Sequence, residues 1–167
     1  MKKSFYFSLL IISFVFNGCY SFSGNAIPPH IQSIFIPVFN DDSRSGIPRL
    51  RESLTTRLTD KIQNQSSLII ASSKTTANAV LEATVSGYVD APSALGGTNE
   101  RATQNRITIT VTASFRDEVE KKWLFQKKTF TAFKDYPVGN AAQQRTAIDD
   151  SAEQLAEIIL NQMLSGW

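Results

Sequence analysis

Apolar residues recur along this 167-residue chain in two rhythms, and these divide it into elements. The run Ile34-Phe35-Ile36-Pro37-Val38-Phe39 has the composition of a strand. Pro37 offers no N–H to a ladder, which places it at a sheet edge or a strand end. Asn40 to Gly46 reads as a loop. Ile47, Leu50, Leu54, Leu58 and Ile62 then return every three or four residues, one stripe of a helix, with Arg51, Glu52, Arg57 and Lys61 largely off it. Pro48 suits the first turn of that helix, where a missing N–H costs nothing. Asn64 to Ser67 ends it, and Leu68-Ile69-Ile70 makes a short strand.

The second rhythm is strict alternation. Ala79, Leu81, Ala83, Val85 and Val89 take one face of a strand, and Glu82, Thr84, Ser86 and Tyr88 the other. Ile107, Ile109, Val111, Ala113 and Phe115 alternate with Thr108, Thr110, Thr112 and Ser114. Threonine is β-branched and tolerates a solvated sheet face, so one face of this sheet is covered and the other is not. Asp117 to Lys121 reads as a turn and Lys122 to Phe133 as the returning strand. Its alternation breaks near Gln126 to Lys128, the mark of a bulge. Trp123, Phe125 and Phe130 read as core residues. Residues 91–104 read as a loop longer than an ordinary hairpin connection. Ala141 to Leu164 forms a long helix with Ile148, Ala152, Leu155, Ile159 and Met163 on its apolar stripe. The expected fold is α+β: a two-layer sandwich with two helices on one face of a largely antiparallel sheet of four to five strands.

The N-terminus follows neither rhythm. Lys2 and Lys3, an apolar run from Phe5 to Phe16, and Gly18 directly before Cys19 make the order of a secretory signal. The segment resembles the lipobox of bacterial lipoproteins, which implies cleavage before Cys19 and acylation of its thiol. Phe16 and Asn17 depart from that pattern; Gly18 and Cys19 match it. The run is too short for a spanning helix, which needs about 20 apolar residues. Tyr20, following the cysteine, permits export to the outer membrane under the sorting rule of enteric bacteria. The chain thus divides into a signal over 1–18, a lipidated N-terminus and tether over 19–32, and one α+β domain over 33–167.

This processing changes the charge picture. The sequence has 17 Lys and Arg against 15 Asp and Glu. Loss of residues 1–18 removes Lys2 and Lys3 and leaves fifteen of each sign. A near-neutral balance gives no ground for nucleic-acid binding. Acylated Cys19 leaves no free thiol, and His30 is the one histidine, so neither a histidine-based triad nor a His-rich metal site can be assembled. Asp149 and Asp150 are neighbours on a helix and do not face each other.

Several segments together resemble the LptE-like lipopolysaccharide-assembly lipoproteins: "GCYSFSG" at 18–24, "IPPHIQSIFIPVFND" at 27–41, "ANAVLEATVSGY" at 77–88 and "NRITITVTASFRD" at 105–117. The resemblance implies a lipid-anchored protein on the periplasmic face of the outer membrane. It also implies an LptD-type β-barrel as partner, plugged and helped to fold, and lipopolysaccharide as ligand, with no catalysis and no cofactor. A phosphorylated ligand needs surface cations; the candidates are Arg101, Arg106, Lys121, Lys122, Lys127 and Lys128. Lysine on a strand also guards an open edge. Without a bulge, Lys121 and Lys127 face one way and Lys122 and Lys128 the other. The 91–104 segment is a candidate for contact with the barrel interior. Two other roles stay open: auxiliary lipoprotein of an ABC-type lipid transporter, and subunit of an envelope secretion channel.

Overall fold

The computed structural model describes residues 27–96 and 101–165. The signal segment, Cys19 and Trp167 lie outside the described residues. In chain order the elements are β1 (Ser33–Phe35), β2 (Asn40–Asp41), α1 (Leu50–Gln65), β3 (Ile69–Ile70), β4 (Ala79–Gly96), β5 (Arg101–Asp117), β6 (Lys122–Pro137) and α2 (Ala141–Leu164). They form a mixed six-stranded sheet with main order β3-β1-β4-β5-β6, and β2 pairs with β4 beyond the end of β1. β4, β5 and β6 are antiparallel, whereas β1 runs parallel to both β3 and β4. Pro37 breaks the expected first strand in two: β1 stops at Phe35 and pairing resumes at Asn40.

Both helices lie on one face of the sheet. Leu50, Leu54, Leu58 and Ile62 of α1 are buried, as are Ala152, Leu155, Ile159 and Met163 of α2. They close over Leu81, Val85, Ile107, Ile109, Val111 and Phe115 in one core. The helix α1 begins at Leu50, after a turn in which Arg49 takes φ 61°, so Pro48 precedes the helix. Asn140 caps α2, its side chain accepting from the Gln143 N–H at 3.0 Å. Arg57 and Lys61 of α1 reach across to Asp149, Glu153 and Glu157 of α2.

Register shifts in β4 and β6 redirect side chains. In β4 the register shifts between Val85 and Gly87. Beyond it Tyr88 stands opposite Ile109 on the covered face, and Val89 is turned out to solvent, 54% exposed. This corrects the expectation that Val89 faces the core and Tyr88 does not; the extra residue reverses the parity of everything after it. In β6 the expected break is present, with Gln126 and Lys127 opposite Ser114 and Lys127 at φ 48°. A second shift skips Leu124 and pairs Trp123 with Arg116. Trp123 therefore lies on the open face, 43% exposed, not in the core, while Phe125 and Phe130 are buried as expected.

The 91–104 segment is not a loop over most of its length. Ala91 pairs with Arg106, Pro92 with Asn105, and pairing continues through shifts to Gly96 and Arg101. β4 and β5 thus extend as one long hairpin past the ends predicted from alternation. The alternation signal fades there because the outer pairs lie beyond the helices, where neither face needs to be apolar.

Candidate functional site

The two helices leave one face of β4, β5 and β6 uncovered. Its centre is a hydroxyl lattice: Thr84 opposite Thr112, Thr112 opposite Thr129, and Thr110 opposite Thr131. Ser86 Oγ accepts from the Thr112 hydroxyl at 3.2 Å. An Arg–aromatic stack stands toward each end of β5. Arg106 lies 4.2 Å over the Phe133 ring and Arg116 5.4 Å over the Trp123 ring.

The candidate cations do not form one patch. Arg106 is held bidentately by Asp135, at 2.7 and 2.9 Å. Asp135 raises the Arg106 guanidinium pKa and is itself held below the usual carboxylate range. Lys121 and Lys122 sit at the β5–β6 turn, at the other end of β5, paired with Glu118 and Glu120. Lys128 stands opposite Ala113 and donates to Gln162 Oε1 of α2 at 2.7 Å. Lys127 borders a groove of about 640 Å³ on the open face, with Val38, Glu82, Thr84, Thr112 and Ser114. Its own backbone N–H donates to Ser114 Oγ at 2.9 Å. Among the described residues, no carboxylate pairs with Lys127. Arg101 opens β5 opposite Gly96; its side chain is outside the described residues.

A second cluster was not legible as such in the sequence. His30 Nε2 lies 2.6 Å from Asp117 Oδ2, and its Nδ1 lies 3.8 Å from Glu120. Asp117 is fully buried, and its Oδ1 accepts the backbone N–H groups of Val119 and Glu120. Burial pushes the Asp117 carboxyl up; the Glu120 N–H, the His30 ring and the Val119 N–H outweigh it and hold it below its usual range. His30, Asp117 and Glu120 also bring three potential metal-ligand atoms together. The two ring nitrogens, however, address different carboxylates, which suits a clasp between tether and turn. Asp117 had read only as a turn residue, and His30 only as part of a tether. Their pairing spans 87 residues of chain, beyond the reach of any local pattern.

A third polar group stands on the covered side, near the start of α2. Asp90 Oδ2 accepts from Tyr136 Oη and from Gln144 Nε2, each at 2.7 Å. Burial, and then Asp90, push the Tyr88 hydroxyl up to about 12. The β4 bulge makes this group, since without it Asp90 would face the other way.

A family model described as "LptE: Lipopolysaccharide-assembly" matches residues 31–163, most of the chain. The chain belongs to the LptE family. Among solved structures, the rare lipoprotein B from Shewanella oneidensis is 14% identical, with a TM-score of 0.53 over 78% of this chain and 92% of that one. The uncharacterized lipoprotein B from Nitrosomonas europaea is 13% identical, with a TM-score of 0.55 over 81% and 82%. The PelC dodecamer from Paraburkholderia phytofirmans is 11% identical, with a TM-score of 0.53 over 82% and 92%. At such identities these likenesses show a shared fold. A comparison with curated proteins gives no significant match. Membership of the LptE family identifies a lipopolysaccharide-assembly lipoprotein associated with the outer membrane.

Proposed function

We propose that this LptE-family protein is held on the periplasmic face of the outer membrane by acyl chains on Cys19. There it occupies and helps assemble an LptD-type β-barrel, and it contacts lipopolysaccharide on the way to the cell surface. The role is structural and needs no cofactor and no catalytic turnover. The family match over 31–163 carries the reading. The open face supports it: a broad, twisted, hydroxyl-lined surface suits contact with the polar wall of a barrel lumen.

The six candidate cations are not equal as lipopolysaccharide contacts. Arg106, Lys121 and Lys122 already face carboxylates, so a phosphate would have to displace an existing partner. Lys127 borders the open-face groove with serine and threonine hydroxyls and with Asp42 and Glu82, neither of which pairs with it, and among the described residues Lys128 donates to the neutral Gln162 and to no carboxylate. Lys127 is the first to test, then Lys128 and Arg101.

The test is co-purification of the tagged, lipid-modified protein from detergent-solubilised membranes. An equimolar large β-barrel is the expected partner. An ATPase or permease in its place would move the protein to a lipid transporter, and a ladder of self-oligomers would move it to a secretion channel.

A further inference from the structure

The open face is polar along its middle and aromatic toward both ends. Thr108, Thr110, Thr112 and Ser114 of β5 line it, with Thr129 and Thr131 of β6 beside them. Their mutual contacts are long for hydroxyls: the Thr110 and Thr131 oxygens stand 3.4 Å apart, and Thr112 reaches Ser86 at 3.2 Å. An O–H···O bond is usually about 2.8 Å, so these hydroxyls keep donors and acceptors to offer a ligand. Phe133 is 51% exposed and Trp123 43%, large aromatic surface on a face that is otherwise hydrophilic. Their partners on β5, Thr108 and Arg116, stand eight positions apart, about 27 Å of strand.

Charge narrows the ligand. Arg106 is forked to Asp135, Glu82 pairs with Lys74, and Arg116 stands 3.8 Å from Glu118. These charges neutralise one another, so an anion over the middle of the face would have to displace a carboxylate. An acyl chain is no better served. Among the described residues of this face the hydroxyls part the two aromatic side chains, and the apolar core is closed under the helices. A long, uncharged molecule covered in hydroxyls fits on both counts. Its hydroxyls exchange hydrogen bonds with serine and threonine, its C–H surfaces pack on aromatic rings, and arginine N–H groups donate to its oxygens. That is the chemistry of a saccharide.

From this we infer that the open face of β4, β5 and β6 holds the saccharide portion of lipopolysaccharide, with Trp123 and Phe133 as stacking platforms toward its two ends and the hydroxyl lattice between them. The inference rests on the lipopolysaccharide contact proposed above and names the part of that molecule the face takes. Lys127, at the border of the same face, stays the candidate for a phosphate beside the sugars. In the proposed complex the saccharide passes between this face and the polar wall of the barrel. The probe is the oligosaccharide released by mild acid from the cells' own lipopolysaccharide, free of lipid A. It is titrated into the purified, lipid-modified protein in a detergent without sugar headgroups. Trp123 is one of two tryptophans, and Trp167→Phe leaves it as the single tryptophan reporter.

The expected result is saturable binding that shifts the Trp123 emission. By calorimetry, Trp123→Ala and Phe133→Ala should each weaken it about three- to tenfold. Thr110→Val, which keeps the shape and removes one hydroxyl, should weaken it about threefold. Val119→Ser, at an exposed position on the β5–β6 turn, should leave it unchanged. Binding of whole lipopolysaccharide without binding of the oligosaccharide would overturn the inference and leave the lipopolysaccharide contact standing. Binding of neither would overturn both. Oligosaccharide binding that survives all three face variants would overturn the site, and equal binding of dextran would overturn its assignment to lipopolysaccharide.

Discussion

Lys127 holds φ 48°, a backbone conformation that costs an L residue roughly 1–2 kcal/mol. Glycine there relieves that cost but adds freedom to the unfolded chain. Lys127→Gly is accordingly expected to leave thermal stability unchanged or raise it by up to about 1 kcal/mol, read by denaturant unfolding. The same variant should weaken lipopolysaccharide binding to the purified protein, whereas Lys122→Ala should not; equal losses would contradict the ranking of the cations. His30 and Asp117 carry the opposite kind of prediction. Asp117→Ala removes the partner of two backbone N–H groups and of the His30 ring. Hydrogen bonds to a charged group contribute roughly 1.5–3 kcal/mol each, so a loss of about 3 kcal/mol is expected in chemical unfolding. His30→Ala should cost less, because the backbone contacts of Asp117 remain.

At the scale of elements, α1 and α2 are joined by an ion-pair ladder in which two carboxylates, Glu153 and Glu157, are held low. Lys61, then Arg57, hold Glu153 below its usual range, and Lys61 does the same to Glu157. A depressed folded-state pKa stabilises the fold above the unfolded value, and that contribution fades as pH falls through the folded one. The melting temperature should therefore fall on acidification below about pH 4. Glu153→Gln should flatten that dependence slightly, since exposed pairs are screened. Elements were also where the sequence was most and least readable. The α1 stripe, Ile107 to Phe115 and α2 stood out because each keeps one unbroken period against the core. Val89, Tyr88 and Trp123 were misread because one extra residue in a strand reverses facing without leaving a mark in composition. The 91–104 stretch read as a loop because its proline, glycine and polar residues pair outside the helix-covered core. Deleting Ser86, to remove the β4 bulge, should turn Asp90 away from Tyr136 and Gln144. The Tyr136 hydroxyl would then titrate lower than in the parent, measurable by ultraviolet absorbance.

The described residues form a domain with one covered and one bare sheet face. Family and fold could be read from segments spread along the chain, because strand and helix periods persist across it. The position of the cations could not, because their partners come from other strands or from α2, as with Lys128 and Gln162. Cys19→Ser should move the protein from the membrane fraction to the soluble periplasm; retention at high salt would argue against acylation. The central claim, a lipoprotein needed to deliver lipopolysaccharide to the cell surface, is met most directly by depleting the protein in growing cells. Surface-exposed lipopolysaccharide and the mature partner barrel would then be measured together. Both should fall as the protein disappears; unchanged levels of both after its loss would contradict the account.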